Sequence, residues 1–445
     1  MQTFLNNVNR LFCLFIVLSN FATWTVSGQT FTANPMKEMP EAVSNNAVTS
    51  AMVGEVPYVY SFGGIDSTKL FSGIHLRSYR LQTNTNLWEA LPALPDTLGK
   101  IGVGASTVKN RIYIMGGYHV LASGAEVTSN KVHVFDPQLN TFLPDATPLP
   151  VPVEDHVQVV WRDSLIFVIT GWSNNNNVAN VQLFNPATNA WQIATPVPNN
   201  SDFKVFGASG VVVGDTIYYA GGAKFGAAFP LGTSFRKGAI NPNDPTQITW
   251  IADENLSFTG YRMGASSYQN KALWFGGALV SYNYDGIAYN GSGGVPALDR
   301  IQVYHPTTNQ LNSINGVMPA LMDLRGVAKI APNRFVIAGG MGVDQLTSRK
   351  TMLLTVEDYV GVSEHPDLSQ VRLYPYPACT SLMVDSPQAA VLRLYNLPGD
   401  CVLSQPIGQT SQTVDVSHLP EGLYIAELEF SNNQALSHHR VAIFR

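Results

Sequence analysis

Short runs of apolar and β-branched residues recur along most of the chain, and each ends at glycine. Runs of this kind predict β-strands that close in a tight turn. The first glycines lie at 63, 116, 171, 221, 276 and 339, so the steps are 53, 55, 50, 55 and 63 residues. A strand-bearing unit repeated about every 50 residues is typical of a β-propeller. The glycines that close the six strands are Gly63, Gly64, Gly116, Gly117, Gly171, Gly221, Gly222, Gly276, Gly277, Gly339 and Gly340.

Each repeat contains further strands around this one. A strand of small residues precedes it, and an alternating strand follows that ends in Asn-Pro or Asp-Pro turn chemistry. An aromatic residue then marks the next strand, as at Trp88, Trp191 and Trp250. We therefore predict that each repeat is an antiparallel meander of strands a to d. Small residues suit strand a because innermost strands crowd around one axis.

The two ends of the repeat region are complementary. The sixth repeat supplies strands a, b and c and stops near residue 356, whereas residues 31–40 resemble a lone strand d. We predict that the N-terminal strand completes the sixth blade, because closing the ring in this way removes both free sheet edges.

Paired glycines, a later aromatic and a period near 50 resemble the kelch repeat. The resemblance covers about residues 30–356 and implies an all-β, six-bladed kelch-type β-propeller over residues 29–356. Gly171-Trp172 departs from the glycine doublet, and Leu311 departs from the aromatic position. Such departures weaken individual repeats without threatening the array.

The chain begins with a segment of another kind. Arg10 precedes a short apolar run, and small or polar residues follow up to Gly28. This pattern predicts a secretory signal peptide at residues 1–28; a buried strand or an uncleaved anchor is the alternative. Since no later segment reaches spanning length, we expect the mature chain to contain no transmembrane segment.

Residues 357–369 read as a polar linker, and residues 370–445 predict a small β-sandwich of short strands split by Gly and Pro turns. Tyr374-Pro375-Tyr376-Pro377-Ala378 and the series Asp415, Ser417, Leu419, Gly422 and Tyr424 resemble the C-terminal sorting domain of Bacteroidota type IX secretion cargo. The resemblance implies that residues 370–445 interact with the secretion machinery. It also implies passage through the periplasm to the outer surface or the medium, and removal of the domain. An accessory carbohydrate-binding sandwich is the alternative.

The composition of the chain excludes several classes of function. The net charge of −5 and the absence of basic runs argue against nucleic-acid binding. The repeat region contains no cysteine, and no zinc spacing or phosphate loop is present, so we expect no metal and no cofactor. The kelch copper-radical oxidases need a Tyr–Cys crosslink, which this propeller does not provide. Cys379 and Cys401 lie in the C-terminal domain, either as a disulfide or as two buried small side chains.

A meander places the b–c and d–a loops on one face of the ring, where the long insertions also fall. The b–c loop at 278–299 carries Tyr282, Tyr284 and Tyr289, and the loop at 223–237 carries Phe225 and Phe229. These rings either contact a ligand or pack on one another to order the loops. The d–a loops contribute Lys100, His156, Lys204, Arg262 and Arg325, which form either a cationic rim for an anionic ligand or an ordinary solvated rim.

Two functions fit this face. The leading hypothesis is a non-catalytic module that binds a glycan or an extracellular protein. The rival is a sugar mutarotase or epimerase, as in some bacterial six-bladed kelch proteins that resemble sialic-acid mutarotases, with Glu154, His156 and Arg262 as candidate catalytic groups. Convergence of carboxylates and arginines in one pocket would favour the rival, and a wide, flat face would favour the binder.

Overall fold

The computed structural model describes residues 29–358, 371–386, 389–408, 410–430 and 436–445. These residues separate into two compact units, one ending at Asp358 and one in the C-terminal region. The predicted signal peptide 1–28 lies outside the described residues, as does most of the predicted linker. Besides strands, the regular elements among the described residues are two 3₁₀ turns, Phe71–Gly73 and Val343–Gln345.

The first unit contains six antiparallel sheets of four strands in meander order, with short additional strands in the second and third sheets. The chain begins with β1 (Gln29–Pro35), which belongs to the last sheet. Blade 1 contains β2 (Ala47–Val53), β3 (Val56–Ile65), β4 (Ile74–Gln82) and β5 (Leu87–Leu91). Blade 2 contains β6 (Ile101–Val108), β7 (Arg111–Val120), β8 (Glu126–Thr128), β9 (Val132–Asp136) and β10 (Thr141–Leu143), with β8 an addition beside β7.

The middle blades repeat this order. Blade 3 contains β11 (Val157–Trp161), β12 (Leu165–Ile169), the small hairpin β13 (Trp172–Ser173) and β14 (Asn176–Asn177), then β15 (Val181–Asn185) and β16 (Ala190–Ile193). Blade 4 contains β17 (Ser209–Val213), β18 (Thr216–Ala220), β19 (Ser234–Asn241) and β20 (Asp244–Ser257). Blade 5 contains β21 (Gly264–Tyr268), β22 (Lys271–Phe275), β23 (Ile301–His305) and β24 (Gln310–Ile314).

The sixth blade joins the two ends of the unit. Its chain-terminal strands are β25 (Ala328–Ala331), β26 (Arg334–Ala338) and β27 (Thr351–Asp358). Strand β1 pairs antiparallel with β27, with Phe31 opposite Val356, and occupies the position of strand d. The predicted closure by the N-terminal strand is therefore confirmed. Phe31 is buried in a cluster with Phe335 and Leu354, so the closure is apolar as well as hydrogen-bonded.

The glycine doublets connect neighbouring blades. In every blade the N–H of the second doublet residue donates to a carbonyl in the loop that leads to strand a of the next blade. The six bonds, of 2.8 to 3.1 Å, run from Gly64 to Lys100, Gly117 to Val153, Gly171 to Val205, Gly222 to Gly260, Gly277 to Leu321 and Gly340 to Val43. The last bond joins blade 6 to blade 1. A Cβ at the first doublet position would meet the same carbonyl, for example at 2.3 Å for Gly116 and Val153 O.

Blade 3 corrects the predicted alignment of the doublets. Gly171 forms the bond of the second glycine, so its doublet is Thr170-Gly171 and not Gly171-Trp172. Thr170 takes the first position with φ of 48°. Its hydroxyl donates to Val178 O at 2.8 Å and accepts the N–H of Val205 at 3.1 Å, which stabilises a threonine in the left-handed region. Trp172 is consequently the first residue of a loop hairpin and is free to face the loop side of the ring.

The aromatic residues on the outer strands also connect blades. The indole N–H of Trp88 donates to Lys37 O at 2.8 Å, that of Trp191 to Thr147 O at 2.8 Å, and that of Trp250 to Thr195 O at 2.9 Å. Each acceptor belongs to the loop that follows strand d of the preceding blade. The repeated Trp therefore satisfies its polar atom while its ring packs on the sheet.

The second unit is a sandwich of two antiparallel sheets that share one buried cluster, which includes Leu382, Leu392 and Leu428. One sheet contains β28 (Arg372–Tyr374), β29 (Ser381–Ser386) and β32 (Thr410–Asp415). The other contains β30 (Ala390–Tyr395), β31 (Cys401–Ile407), β33 (Gly422–Phe430) and β34 (Leu436–Ile443). Cys379 and Cys401 are exposed free thiols, so neither the disulfide nor the buried arrangement is formed.

Candidate functional site

The loops that enter strand a meet in a ring at one end of the propeller axis. Six residues in equivalent positions have φ between 47° and 68°: Asn45, Gly102, Asp155, Gly207, Arg262 and Asp323. Backbone bonds connect them from blade to blade, including Gly207 N to Asp155 O and Arg262 N to Gly207 O, both at 2.8 Å. The side-chain oxygen of Asn45 accepts the Gly102 N–H at 2.8 Å. This ring fixes the side chains of Asp155, Arg262 and Asp323 at the end of the channel.

Arg262 is the centre of a buried ion network. Its Nη2 donates to Asp155 Oδ2 at 2.6 Å, and its Nη1 donates to Asp323 Oδ1 at 3.0 Å. Arg325 Nη1 lies 3.3 Å from Asp155 Oδ1. Two guanidinium groups therefore balance two carboxylates. Although burial alone would raise it, the charges of Arg262 and Arg325 hold the pKa of Asp155 below its ordinary value.

Aromatic rings enclose the guanidinium of Arg262. Its Cζ lies 5.2 Å from the ring centre of Tyr261 and 5.4 Å from that of Tyr282. The two rings meet edge to face with centres 5.0 Å apart, and both are fully buried. Arg262 is 1% exposed, and carboxylates and aromatic rings surround its guanidinium. It therefore supports the loop face and does not present a free cation.

A cavity of ≈110 Å³ lies on the loop side of this network. Its walls come from the b–c and d–a loops of blades 2 to 5, which is the face that the meander predicts. The lining residues are Tyr118, Glu126, Glu154, Asp155, Trp172, Phe206, Phe229, Arg262, Asn283 and Tyr289. Five rings and three carboxyl groups therefore surround a space that accepts one small chemical group.

The rings of this cavity support one another. Phe229 meets Trp172 edge to face at 5.5 Å and Tyr289 at 4.9 Å between ring centres. Phe206 contacts Trp172 at 5.6 Å and Tyr261 at 5.8 Å, which connects the wall to the Arg262 network. The walls are thus fixed by packing, and a ligand would meet them already in place.

Two carboxyl groups of the cavity have no cationic partner among the described residues. Glu154 is 4% exposed, and Thr128 Oγ1 lies 3.1 Å from its Oε2. Burial, and then the charges of Glu126 and Asp155, raise the pKa of Glu154 well above its ordinary value. Glu126 lies at the exposed rim on β8, and desolvation raises its pKa as well. These groups give the cavity acidic character.

A second cavity of ≈120 Å³ lies within the channel, on the other side of the ring. His156, Gln158 and Arg325 line it together with small residues of the innermost strands. His156 Nε2 lies 3.0 Å from Gln158 Oε1, and the imidazole packs against Gly104 and Gly116. Burial, and then the charge of Arg325, lower the pKa of His156 to about 4, so this ring is neutral at physiological pH.

Three of the sequence candidates lie elsewhere. Lys100 is buried between blades 1 and 2, where its Nζ lies 2.6 Å from Asp96 Oδ2. Lys204 is half-buried and lines a groove beside Asn177 and Trp250. Tyr284 packs against a separate apolar cluster that includes Tyr118. The expected ring of free cations is therefore not formed, because Lys100, Arg262 and Arg325 pair with carboxylates.

Of the remaining candidates, Arg262 and Glu154 reach the loop-face cavity, Tyr282 supports it from behind, and His156 and Arg325 lie in the channel. Sequence reasoning missed Glu126, Trp172 and Phe206. Trp172 had a signal, because a large aromatic residue stands directly after the closing glycine, at the start of a b–c loop. Glu126 had none, because only the pairing of β8 with β7 brings it to the cavity.

Metal-ligand groups and membrane-spanning helices are both absent from the described residues. No three His, Cys, Asp or Glu side chains in the part of the chain that the structure describes are grouped as ligands of a metal ion. Within the same residues, no helix has the length and the apolar character that crossing a bilayer requires.

Comparisons with known proteins agree with this fold. The KLHDC2/KLHL20/DRC7 Kelch-repeats domain matches residues 9–222, and the Secretion system C-terminal sorting domain matches residues 372–442. Human Kelch-like protein 15 is 24% identical over 258 residues, which are 56% of this chain and 39% of that protein. The Gallus gallus Kelch-like protein 15 is 26% identical over 132 residues, or 30% of this chain and 24% of that protein. The chain thus spans well under half of these curated relatives.

The solved structure of YjhT aligns with a TM-score of 0.56 and 16% identity, over 72% of this chain and 99% of that one. This likeness concerns the fold alone. The sorting domain indicates export by type IX secretion to the cell surface or the extracellular space, and hence an interaction with the secretion machinery. The chain is a kelch-repeat β-propeller protein with a secretion-system C-terminal sorting domain.

Proposed function

We propose that the exported propeller binds a glycan and holds one sugar unit of it at the loop-face cavity. The observation that carries the proposal is the convergence of five aromatic rings and two carboxyl groups without cationic partners on one preformed cavity. Aromatic faces suit the C–H face of a sugar ring, and carboxyl groups accept hydrogen bonds from hydroxyl or amino groups. A cavity of ≈110 Å³ is small for a whole ligand, so the remainder of the glycan would lie across the loop face.

The charged groups of the cavity indicate the net charge of the glycan that it would bind. Arg262 and Arg325 are paired with carboxylates, and the groups left over are the acids Glu126 and Glu154. An anionic sugar would face these acids without a free cation to compensate. The proposed ligand is therefore neutral or cationic, and not the anionic ligand that a rim of free cations, one of the two arrangements considered from sequence, would suit.

A glycan array probed with the full chain tests this proposal. Trp172→Ala removes one wall of the cavity and should abolish or strongly weaken binding to the glycans that the unaltered chain retains. Leu139→Ala is the matched control, because Leu139 is a 67% exposed apolar side chain in the turn between β9 and β10, on the face of the ring opposite the b–c and d–a loops. Retention of no glycan, or equal retention by the Trp172→Ala chain, contradicts the proposal and redirects the search to an extracellular protein ligand.

One observation favours the catalytic alternative, a sugar mutarotase. Glu154, Asp155 and Arg262 line the same cavity, and the raised pKa of Glu154 favours the protonated carboxylic acid, which could donate a proton to a sugar. His156 would not take part from its place in the channel. Exchange NMR on free sugars decides between the two functions. Faster interconversion of anomers that is lost in Glu154→Gln would establish the enzyme, and rates equal to buffer would reject it.

A further inference from the structure

The two acids of the loop-face cavity lack a counter-charge. Among the described residues, the hydroxyl of Thr128 is the group that hydrogen-bonds the Glu154 carboxyl, through Oε2, and Oε1 forms no hydrogen bond with them. Glu126 has neither a hydrogen bond nor an ion pair with the described residues and lies at the rim. A carboxyl group that is nine-tenths buried without a cation is costly, and such cost persists where a ligand supplies the missing partner.

The nearest cation cannot serve as that partner. Arg262 directs its Nη2 to Asp155 and its Nη1 to Asp323, and its faces lie near Tyr261 and Tyr282. Turning it toward Glu154 would break both of these bonds and would leave Asp323 buried without a cation, which is strongly unfavourable. The cavity therefore retains its acidic character in the folded protein.

The aromatic walls favour the same kind of occupant. Tyr118, Trp172, Phe206, Phe229 and Tyr289 line the space. The faces of such rings carry negative partial charge and attract ammonium groups at distances up to about 6 Å from the ring centre. An enclosure of aromatic faces and carboxyl groups is complementary to a small organic cation and not to an anion.

We propose that the group entering this cavity is the protonated amine of an amino sugar. This inference rests on the proposed function, glycan binding by the loop face, and specifies its ligand. The ammonium would donate to the carboxyl groups of Glu154 and Glu126 while the rings surround it. Its three N–H donors match acceptors that the described residues leave unused.

The rim favours a sugar over a lysine side chain as the carrier of the amine. Phe225 is 58% exposed and stacks on Trp172 with ring centres 6.2 Å apart and planes 30° apart. This pair offers a flat apolar surface directly beside the cavity, on which a sugar ring can lie while its amine reaches the acids. A flexible lysine chain would leave that surface uncovered.

Amine binding has a protonation consequence. Burial, and then the charges of Glu126 and Asp155, raise the pKa of Glu154 and favour its protonated form; Arg262 and Tyr289 are the other titratable groups near it. An ammonium beside Glu154 would lower its pKa again and release that proton. A neutral sugar would bind without such release.

The test is isothermal titration of the full chain, at slightly acidic pH, with three trisaccharides: the β-1,4 trimers of glucosamine, N-acetylglucosamine and glucose. They differ only in the amine, acetamide or hydroxyl group at C2. We expect the glucosamine trimer to bind at least about tenfold more tightly than the other two, as a charge-assisted bond requires. Titration in buffers of different ionisation enthalpy should reveal proton release for the amine alone.

Glu154→Gln and Glu126→Gln should each weaken amine binding by about 10- to 100-fold. Glu55→Gln is the matched control, since Glu55 is an exposed glutamate in the turn between β2 and β3 and should bind as the unaltered chain does. Equal affinity of the three trimers overturns the amine inference and leaves glycan binding intact. Binding of lysine peptides but of no trimer overturns both glycan binding and the amine inference, and so does a chain that binds neither peptides nor trimers. Proton release from the unaltered chain tests the amine inference without relying on a variant.

Discussion

At the scale of single residues, Glu154 shows how a buried carboxyl group makes the stability of the propeller depend on pH. Its pKa in the folded state is well above the ordinary value of 4.5, so the folded chain binds more protons than the unfolded chain between the two values. The stability that Glu154 contributes is therefore complete below pH 4.5 and is lost as pH rises through the folded-state pKa. Residues placed for function often carry such a cost.

Glu154→Gln should remove this dependence. The amide stays neutral and can still bond Thr128, so the variant should gain free energy of unfolding over the unaltered chain as pH rises from 4.5. The slope of the difference should be at most about 1.4 kcal/mol per pH unit. Urea unfolding across a pH series measures it, with Glu55→Gln as the control. A difference that does not vary with pH contradicts the burial of a neutral Glu154.

Two causes favour glycine at the glycine doublets: a Cβ would lie too close to a neighbouring carbonyl, and φ is positive. Gly54 and Gly116 allow the two causes to be measured separately. Gly54 has φ of 57° and open space where a Cβ would stand, whereas a Cβ on Gly116, with φ of 67°, would lie 2.3 Å from Val153 O. Gly54→Ala should cost about 1 kcal/mol for the left-handed backbone alone. Gly116→Ala should cost about 1–3 kcal/mol more because blades 2 and 3 must separate. Equal losses in urea unfolding would refute the contact argument.

At the scale of elements, the sequence was informative wherever a strand repeats. Strand order, outer-strand aromatics and the closing strand all follow from periodicity, because every blade must satisfy the same packing around one axis. The one misaligned doublet arose because the hydroxyl of Thr170 stabilises a backbone that glycine usually provides. Local chemistry of this kind is invisible to a search for paired glycines.

The closing strand β1 should contribute to stability through its buried side chain. Phe31 buries its ring against blade 6, whereas its neighbour Thr32 is exposed on the same strand. Phe31→Ala should lower the free energy of unfolding of the propeller by about 3 kcal/mol, the usual cost of a large buried truncation. Thr32→Ala should change it by less than about 0.5 kcal/mol. Similar values for the two variants would show that β1 does not contribute to closure through its apolar face.

At the scale of the whole molecule, the sequence predicted which face of the ring carries the b–c and d–a loops, but it did not predict the cavity on that face. Topology alone sends the b–c and d–a loops to one end of the ring, so the face follows from the repeat. The cavity depends on how loops of four blades pack together and on which charged groups pair. Neither feature repeats along the sequence, so the repeat does not predict it. Lys100 illustrates the limit: its sequence position matches that of a rim cation, yet Asp96 lies close enough to hold it inside the protein.

The two compact units have separate apolar cores, which predicts two unfolding transitions in calorimetry of the full chain. Leu392 is fully buried in the sandwich core, and Phe31 is buried in the propeller. Leu392→Ala should lower the midpoint of one transition, since such a truncation costs about 2–5 kcal/mol, and Phe31→Ala should lower the other. A single transition that both variants shift together would mean that the sorting domain and the propeller unfold as one cooperative body. Two transitions that respond separately would mean that the propeller keeps its stability when the sorting domain is unfolded or removed.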